Sequence, residues 1–339
     1  MVCTHSDGRS LAPWRMGAGE TDVLVRRLGE LAAETGCEVA AVLDSTNGLL
    51  DGPLLAAGVT VLRADPWLLP QRPENASVSA EQLARHAAPA LNRLVRLSTE
   101  VGTLAGRLDD LRRNIRDSAD VERELTLRGL YLVRGAPTAP RVALTFDDGP
   151  QPPHTDGVLD VLREFQVPAT FFCVGLHADA HPATLERIAS EGHHIGNHTW
   201  SHPYLPDLTR DELDFQIEAT NRAIRRVTGT DPRMLRPPYG SRTPDVLRWI
   251  ADHGMATVLW DNDPCDWAMP GTAAIVDNAV RQTGWGSVVL MHDGGGDRSQ
   301  TVRALSDIIR QLTEDGYQFA TVDETLEHHA AHLAGTPAC

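Results

Sequence analysis

The six residues Thr145-Phe146-Asp147-Asp148-Gly149-Pro150 decide how the rest of this chain is interpreted. The apolar run before them, 141–144, is typical of a buried strand, and Gly-Pro ends that strand directly after two neighbouring carboxylates. Successive side chains at a strand end diverge, so one carboxylate can bind a metal ion while the other handles a proton. Taken alone, an Asp-Asp pair is more often a solvated turn. The catalytic interpretation therefore depends on the polar clusters that follow later strands.

Beyond a linker rich in proline, 135–140, strand-like and helical segments alternate to the end of the chain. Repeated strand-to-helix steps in one direction predict a parallel sheet with helices outside it. The fold class expected is α/β, an irregular (β/α)7-type parallel barrel, whose active-site face is formed by the loops after the strands. The predicted strands are 141–146, 169–174, 194–197, 233–236, 256–260, 287–291 and 318–322, and the predicted helices are 157–166, 182–191, 209–228, 243–253, 271–282 and 299–315.

Two histidines, His198 and His202, follow the third predicted strand. Histidines four residues apart can reach one metal ion, but among the 14 histidines of this chain such a pair also arises by chance. Joined to a carboxylate at a strand end, the pair gives three ligands and leaves a coordination position open. These nitrogen and oxygen donors suit Zn²⁺ or another borderline divalent metal.

Polar clusters also follow the fourth, fifth and sixth predicted strands. The stretch Arg236-Pro-Pro-Tyr239-Gly is a rigid turn that can fix an arginine and a backbone N–H, although a surface turn would look the same. The acidic loop 261–267 lacks the glycine and terminal glutamate of an EF-hand loop. His292 directly follows an apolar run, and its ordinary pKa near neutrality makes it a candidate general acid.

These clusters together resemble the motifs of the polysaccharide deacetylase family, the NodB homology domain of carbohydrate esterase family 4. The motifs occur in order as TFDDGP at 145–150, HxxxH at 198–202, RPPY at 236–239, DxxDW at 263–267 and Leu-x-His at 290–292. The last one continues as Asp-Gly-Gly-Gly-Asp-Arg-Ser-Gln-Thr over 293–301. The resemblance extends over about residues 140–325.

The resemblance implies a metal-dependent amide hydrolase that removes acetyl groups from N-acetylated sugars. Zn²⁺ is the expected metal, with Co²⁺, Ni²⁺ and Mn²⁺ as alternatives. The implied metal ligands are Asp148, His198 and His202. Asp147 would be the general base, and Arg236 would orient and ionise it.

The same resemblance implies roles for five more residues. His292 would protonate the leaving amine, with Asp266 as its partner. The backbone N–H of Tyr239 would stabilise the oxyanion. Trp267 and Leu290 would wall the pocket for the acetyl methyl group.

The first part of the chain, 1–135, lies outside this resemblance and is predicted to be an N-terminal extension. It contains a small α/β unit over 20–65 and a helix over 80–117 with a heptad stripe of apolar residues. That helix either pairs with its copy in a homodimer or lies along the protein's own catalytic domain. The catalytic domain is expected over 136–330, followed by a tail at 331–339.

Composition excludes several classes of function. The chain contains 31 basic residues, all arginine, so a P-loop lysine and a Schiff-base lysine are excluded. The net charge of −15 opposes binding to nucleic acid and insertion into anionic membranes. The five cysteines show no CxxC spacing. No signal peptide or transmembrane run is seen, so a cytoplasmic location is expected.

Three alternatives to sugar deacetylation stay open at this point. The first is an intracellular deacetylase or deformylase of a small acylated amine, favoured by the missing signal peptide and the extension. The second is a carbohydrate-binding module without turnover, against which Asp147 and His292 argue. The third is a metal phosphoesterase, which the acidic surface and the missing lysines disfavour.

Overall fold

The computed structural model describes residues 21–35, 39–43, 54, 59–63, 95–96 and 104–335. The chain divides into two compact units, Met1–Arg116 and Asp117–Cys339. Residues 117–135, which the sequence assigned to the extension, thus pack within the second unit.

The first unit is a small α/β structure. Its helix α1 (Thr21–Thr35) precedes the parallel pair β1 (Ala40–Leu43) and β2 (Thr60–Arg63). The two-residue strand β3 (Val95–Arg96) runs antiparallel to β2. Leucines of α1 pack on the sheet because they recur on one face of the helix at spacings of three and four.

The strand β3 contradicts one prediction about the extension. A continuous helix over 80–117 is wrong at Val95–Arg96, where the backbone pairs with β2 instead. Helix α2 is observed over Leu104–Leu127. The remaining part of the predicted helix, 80–94 and 97–103, lies outside the described residues, and the homodimer through this segment stays a prediction.

The second unit is built on one parallel sheet. Its strands are β4 (Tyr131–Leu132), β5 (Arg141–Asp147), β6 (Thr170–Cys173), β7 (His194–Asn197), β8 (Met234–Leu235), β9 (Ala256–Val258), β10 (Ser287–His292) and β11 (Gln318–Phe319). The spatial order is β10-β5-β6-β7-β8-β9-β4, with β11 beside the start of β5. A bridge between Asn262 and Val289 links the segment after β9 to β10 and curls the sheet round. The predicted (β/α)7-type parallel barrel is confirmed, with β4 as an additional short strand.

Helices cover the outside of this sheet. They are α3 (His154–Phe165), α4 (Gly175–Ala180), α5 (Pro182–Ser190), α6 (Arg210–Thr228), α7 (Pro244–Asp252), α8 (Thr272–Gln282), α9 (Ser299–Glu314) and α10 (Val322–Gly335). Six of them match the predicted helices, whereas α4 and α10 were not predicted. The strand predicted over 318–322 ends at Phe319, because Val322 already begins α10. Within the described residues, none of the helices has the length and apolar character that crossing a membrane requires.

Alternation along the strands separates two apolar layers. On β5, Val142, Leu144 and Phe146 face the helices, whereas Ala143 lies inside the curled sheet with Phe172 and other strand residues. Because successive strand side chains point to opposite faces, Thr145 and Asp147 also lie on the inside. The strand pattern thus carries Asp147 to the carboxyl end of the sheet on its inner face.

Candidate metal and catalytic site

Two adjacent strands bring the first and last motifs together. Strands β5 and β10 run parallel in a register that places His292 opposite Asp147 at their carboxyl ends. Both residues belong to the inward-facing set, which on β10 also contains Val288 and Leu290. The hydrogen bonds of the sheet therefore fix the positions of two titratable side chains, Asp147 and His292, relative to each other.

The chain turns sharply at Asp148, directly after β5. Its φ of 75° lies in the left-handed region, which a non-glycine residue adopts only when its surroundings hold it there. The Asp148 carbonyl oxygen accepts a hydrogen bond from His177 Nδ1 at 2.5 Å. The next amide, Gly149 N–H, donates to Asp293 Oδ1 at 3.1 Å. These contacts hold the main chain of the turn on both sides of the Asp148 carboxylate.

The carboxylate of Asp148 meets His198 and His202. One ligand atom from each of these three residues lies within 4.8 Å of the others. Asp148 Oδ1 is 3.5 Å from His198 Nε2 and 3.3 Å from His202 Nε2. His198 Nδ1 donates to the carbonyl oxygen of Arg236 at 2.7 Å, which leaves the Nε2 lone pair directed at the carboxylate.

The protonation states of Asp148 and His202 fit a divalent metal ion. Asp148 Oδ1 is buried and has no hydrogen-bond donor among the described residues. Burial raises the pKa of Asp148, but His202 and His198 outweigh it and hold that pKa well below its usual range. Burial lowers the pKa of His202 to about 4. An ionised carboxylate and neutral imidazoles are the ligand forms that a metal requires.

Asp147 makes a separate contact behind this trio. Its Oδ1 accepts a hydrogen bond from Arg236 Nη1 at 2.7 Å, and both side chains are almost fully buried. Asp147 Oδ2 lies 3.6 Å from His198 Nε2, at the edge of the same site. Asp147 therefore presents one oxygen to the site while the other is held from behind.

Arg236 is fixed on all sides. Its guanidinium donates to Thr145 Oγ1 at 2.7 Å and to the carbonyl oxygens of Val258 and Leu259 at 3.3 and 3.0 Å. The Phe172 ring lies 4.2 Å from Cζ. Burial lowers the pKa of Arg236 and Asp147 opposes this effect, but a guanidinium stays charged in proteins, and its planar donors fix the orientation of Arg236 among these partners.

His292 and Asp266 form a second buried pair. His292 Nδ1 donates to Asp266 Oδ1 at 2.8 Å, and the His292 amide donates to Asp266 Oδ2 at 2.9 Å. Thr301 Oγ1 adds a third hydrogen bond to Asp266 at 2.8 Å. Burial lowers the pKa of His292, but the hydrogen bond and charge of Asp266, followed by Asp148 and Asp147, raise it to about 9. His292 is therefore protonated at neutral pH.

The remaining predicted residues occupy different environments. Tyr239 has a φ of 61°, and its Oη lies 3.1 Å from His202 Nδ1. Trp267 is 55% exposed, whereas Leu290 is buried on the inner face of β10. Every site residue predicted from the sequence thus lies at the carboxyl end of the sheet or in a loop that follows a strand.

Several supporting residues were not predicted. Asp293 is buried and accepts hydrogen bonds from Gly149 N and Thr155 Oγ1, and burial raises its pKa to about 7. Arg298 donates to the carbonyl oxygens of Gly294 at 2.7 Å and Trp267 at 3.4 Å. The sequence resemblance extends over 293–301, but nothing in that stretch indicates these hydrogen-bond partners.

Comparison with known proteins identifies the family. Residues 134–258 match the model of the polysaccharide deacetylase family. The chain is 41% identical over 189 residues to a peptidoglycan-N-acetylglucosamine deacetylase of Bacillus cereus, covering 55% of this chain and 88% of that protein. The chain belongs to the polysaccharide deacetylase family.

Other members give the same assignment. A chitooligosaccharide deacetylase of Sinorhizobium fredii is 43% identical to this polysaccharide deacetylase over 195 residues, covering 54% of this chain and 91% of that protein. The crystal structure of a peptidoglycan N-acetylglucosamine deacetylase has a TM-score of 0.59 and 37% identity, and the match covers 60% of this chain and 96% of that one. The predicted family is confirmed, and with it a hydrolase of the amide bond in N-acetylated amino sugars.

Proposed function

We propose that this deacetylase hydrolyses the N-acetyl group of N-acetylglucosamine-type units in an oligosaccharide or glycan, through a Zn²⁺ ion, a base on β5 and an acid on β10. The observation that carries the proposal is the pairing of Asp147 and His292 across two strands, beside the trio of metal donors. Together these groups provide for every proton that amide hydrolysis moves.

Asp148, His198 and His202 would hold the metal. When bound, the metal polarises the amide carbonyl and makes an attacking water molecule more acidic. Zn²⁺ suits two imidazole nitrogens and one carboxylate oxygen, and Co²⁺, Ni²⁺ or Mn²⁺ would use the same donors. The buried and otherwise unpartnered Asp148 Oδ1, described above, supports this assignment.

Asp147 takes a proton from the attacking water molecule. Arg236 holds its Oδ1, so the carboxylate cannot rotate and its Oδ2 stays directed into the site. Arg236 is itself fixed by Thr145 and two carbonyl oxygens, which removes the cost of ordering the base during the reaction.

His292 returns a proton to the leaving nitrogen. Its Nδ1 is engaged by Asp266, so its Nε2 is the nitrogen that can donate to substrate. The raised pKa, about 9, keeps this proton in place at neutral pH until the amide nitrogen becomes basic.

Tyr239, Trp267 and Leu290 complete the site. Tyr239 has a left-handed backbone conformation beside the metal donor His202, and its backbone N–H would donate to the oxygen of the tetrahedral intermediate. Leu290 and Trp267 would enclose the acetyl methyl group. The exposed Trp267 and the partly exposed Tyr239 and Met269 offer flat and apolar surfaces on which a pyranose ring can rest.

An oligomeric sugar is favoured over a small acylated amine by these exposed rings and by the relatives named for peptidoglycan and chitooligosaccharide substrates. The surface charge also suits a neutral substrate, because residues 136–339 contain 15 arginines against 28 acidic residues. A cytoplasmic location stays a prediction.

The deciding experiment measures acid released by the zinc-loaded full chain from a set of substrates. The set contains chito-oligosaccharides, muropeptide fragments, monomeric N-acetylglucosamine conjugates, and small acetylated or formylated amines. A chelated sample and the variant Asp147→Asn serve as controls.

Acetate release from the oligomers, abolished in both controls, is the expected result. Turnover of the small amines alone would replace the proposed substrate with an acylated metabolite. Binding of chito-oligosaccharides without acid release, in a sample with one metal per chain, would contradict the catalytic proposal and support a binding module.

A further inference from the structure

The turn that carries Tyr239 has an unusual backbone. Tyr239 and Gly240 both have positive φ, 61° and 62°. Glycine adopts this region freely, but a tyrosine does so only where neighbouring groups hold it. Two hydrogen bonds inside the turn, Gly240 N to Pro237 O and Ser241 N to Pro238 O, are both 3.0 Å long.

A third hydrogen bond enters the turn from a buried arginine. Arg242 Nη1 donates to the Gly240 carbonyl oxygen at 2.7 Å. Arg242 Nε donates to Glu122 Oε1 at 2.5 Å, and the two side chains are only 9% and 20% exposed. Because the guanidinium is planar and always charged, one Arg242 rotamer serves both partners.

Glu122 is held in turn by the helix that carries it. It lies in the last two turns of α2, between Val121 and Leu125, which are buried against Tyr131, Leu247 and Leu259. This packing fixes the last turns of α2 within the second unit, to which residues from Asp117 onward belong. A rigid chain of contacts therefore runs from α2 through Glu122 and Arg242 to the carbonyl that follows Tyr239.

We propose that Glu122 and Arg242 are positioning residues for Tyr239. The proposal rests on the role suggested above for the Tyr239 backbone N–H. The Glu122–Arg242–Gly240 chain of contacts, here called the brace, would keep that N–H directed at the developing oxyanion and the phenol beside His202. The family match begins at residue 134, so Glu122 is a component of the site contributed by a segment outside the matched region.

The test compares four variants of the full chain: Glu122→Gln, Arg242→Lys, the double variant, and Glu124→Gln. The last one is the matched control, because Glu124 lies on the same helix and pairs with Arg128 at 3.2 Å in an exposed ion pair. Acetate release from chito-oligosaccharides gives kcat and KM. Hydrogen exchange of the backbone amides in 236–243 measures how often the turn opens, and this measurement does not depend on catalytic activity.

Each single variant is expected to lower kcat about tenfold or more with KM unchanged, since an interaction used only in the transition state is misplaced. The double variant should resemble the singles because both residues act through one chain of contacts. Exchange in 236–243 should become faster in these three variants and stay unchanged in Glu124→Gln.

Unchanged exchange of 236–243 in Glu122→Gln would overturn the brace, and so would faster exchange with an unchanged kcat. Circular dichroism shows whether each variant is folded, so that a loss of kcat by unfolding is recognised. The variant Glu122→Asp retains the charge and should recover part of the lost kcat. If the wild-type chain releases no acetate, the proposed function fails, whereas the exchange measurement still decides whether Glu122 holds the turn.

Discussion

Two buried ion pairs stand on opposite sides of the site, and they are built in opposite senses. In the pair Asp147–Arg236 the carboxylate faces the site and the cation lies behind it. In the pair His292–Asp266 the imidazole faces the site and the carboxylate lies behind it. In each pair the member that lies behind, Arg236 or Asp266, is completely enclosed by protein.

The difference shows how one kind of interaction yields two chemical roles. An arginine has no proton to give near neutral pH, so the facing carboxylate of its pair can only accept one. An imidazole can lose its proton, and the enclosed Asp266 helps to raise its pKa to about 9, so the facing group of that pair donates. In the proposed reaction, the identity of the enclosed partner decides which side is the base and which is the acid.

The largest effect is expected from the base. Asp147→Asn should lower kcat about 10²–10⁴-fold because no group remains to accept the proton. Its metal content, measured by elemental analysis, should stay at the wild-type level, whereas Asp148→Asn should lose metal. An Asp147→Asn protein that lacks metal would show that Asp147 belongs to the ligands and would end the distinction between the two carboxylates.

The enclosed arginine is expected to matter most for folding. Arg236→Met leaves the buried Asp147 carboxylate without its cation and should lower the free energy of unfolding by about 3–5 kcal/mol in urea denaturation. Arg248→Met is the matched control, because Arg248 pairs with Asp245 in an exposed ion pair. Equal stability of the two variants would contradict the cost expected for leaving the buried Asp147 carboxylate without its cation.

The enclosed aspartate is expected to set the pH range of the acid. Burial lowers the pKa of His292 and Asp266 is the first group that raises it, so Asp266→Asn should move this pKa down from about 9 toward or below its ordinary value. His292 is protonated below its pKa, so the alkaline limb of kcat/KM should move to lower pH. At pH 8 we expect a loss of about 10²-fold.

A pH–rate series on Asp266→Asn and Asp277→Asn checks this expectation. Asp277 forms an exposed pair with Arg281 and should leave the profile unchanged. An alkaline limb that does not move in Asp266→Asn would remove His292 from the role of acid.

The smallest effect is expected from Thr301, whose hydroxyl donates to the enclosed Asp266 of the His292–Asp266 pair. Thr301→Val removes one of the donors to Asp266 and should lower the free energy of unfolding by about 1 kcal/mol, with most of the activity retained. Thr313→Val in the same helix, where the hydroxyl bonds only to the Ile309 carbonyl oxygen, should change less. A larger effect at Thr313 would mean that the helix, and not Asp266, explains the result.

The sequence predicted the frame of this site because local patterns determine it. The apolar runs at 141–146 and 287–291 correspond to β5 and β10, and the polar residues that follow them face inward by simple alternation. Short elements were missed, since the two residues of β4 form a strand only through pairing with β9.

The enclosing contacts could not be predicted in the same way. The Asp293 carboxylate meets Gly149 across 144 positions of sequence, and Glu122 meets Arg242 across 120. No periodicity encodes such a pair, because it depends on where two distant loops meet in the folded chain. The heptad stripe led to a wrong helix for a related reason: its apolar spacing through Leu94 and Leu97 fits a helix, but Val95 and Arg96 between them pair with β2.

The register of β5 and β10 has a consequence for how this enzyme can be modified. Neighbouring strands lie about 4.8 Å apart, so the span between Asp147 and His292, the proposed base and acid, is set by the main chain of the sheet. The exposed side chains proposed to meet the sugar, Trp267 and Met269, are by contrast carried on the loop 261–271. Substitutions at these two exposed positions should therefore change substrate preference while the buried pairs Asp147–Arg236 and His292–Asp266 stay in place.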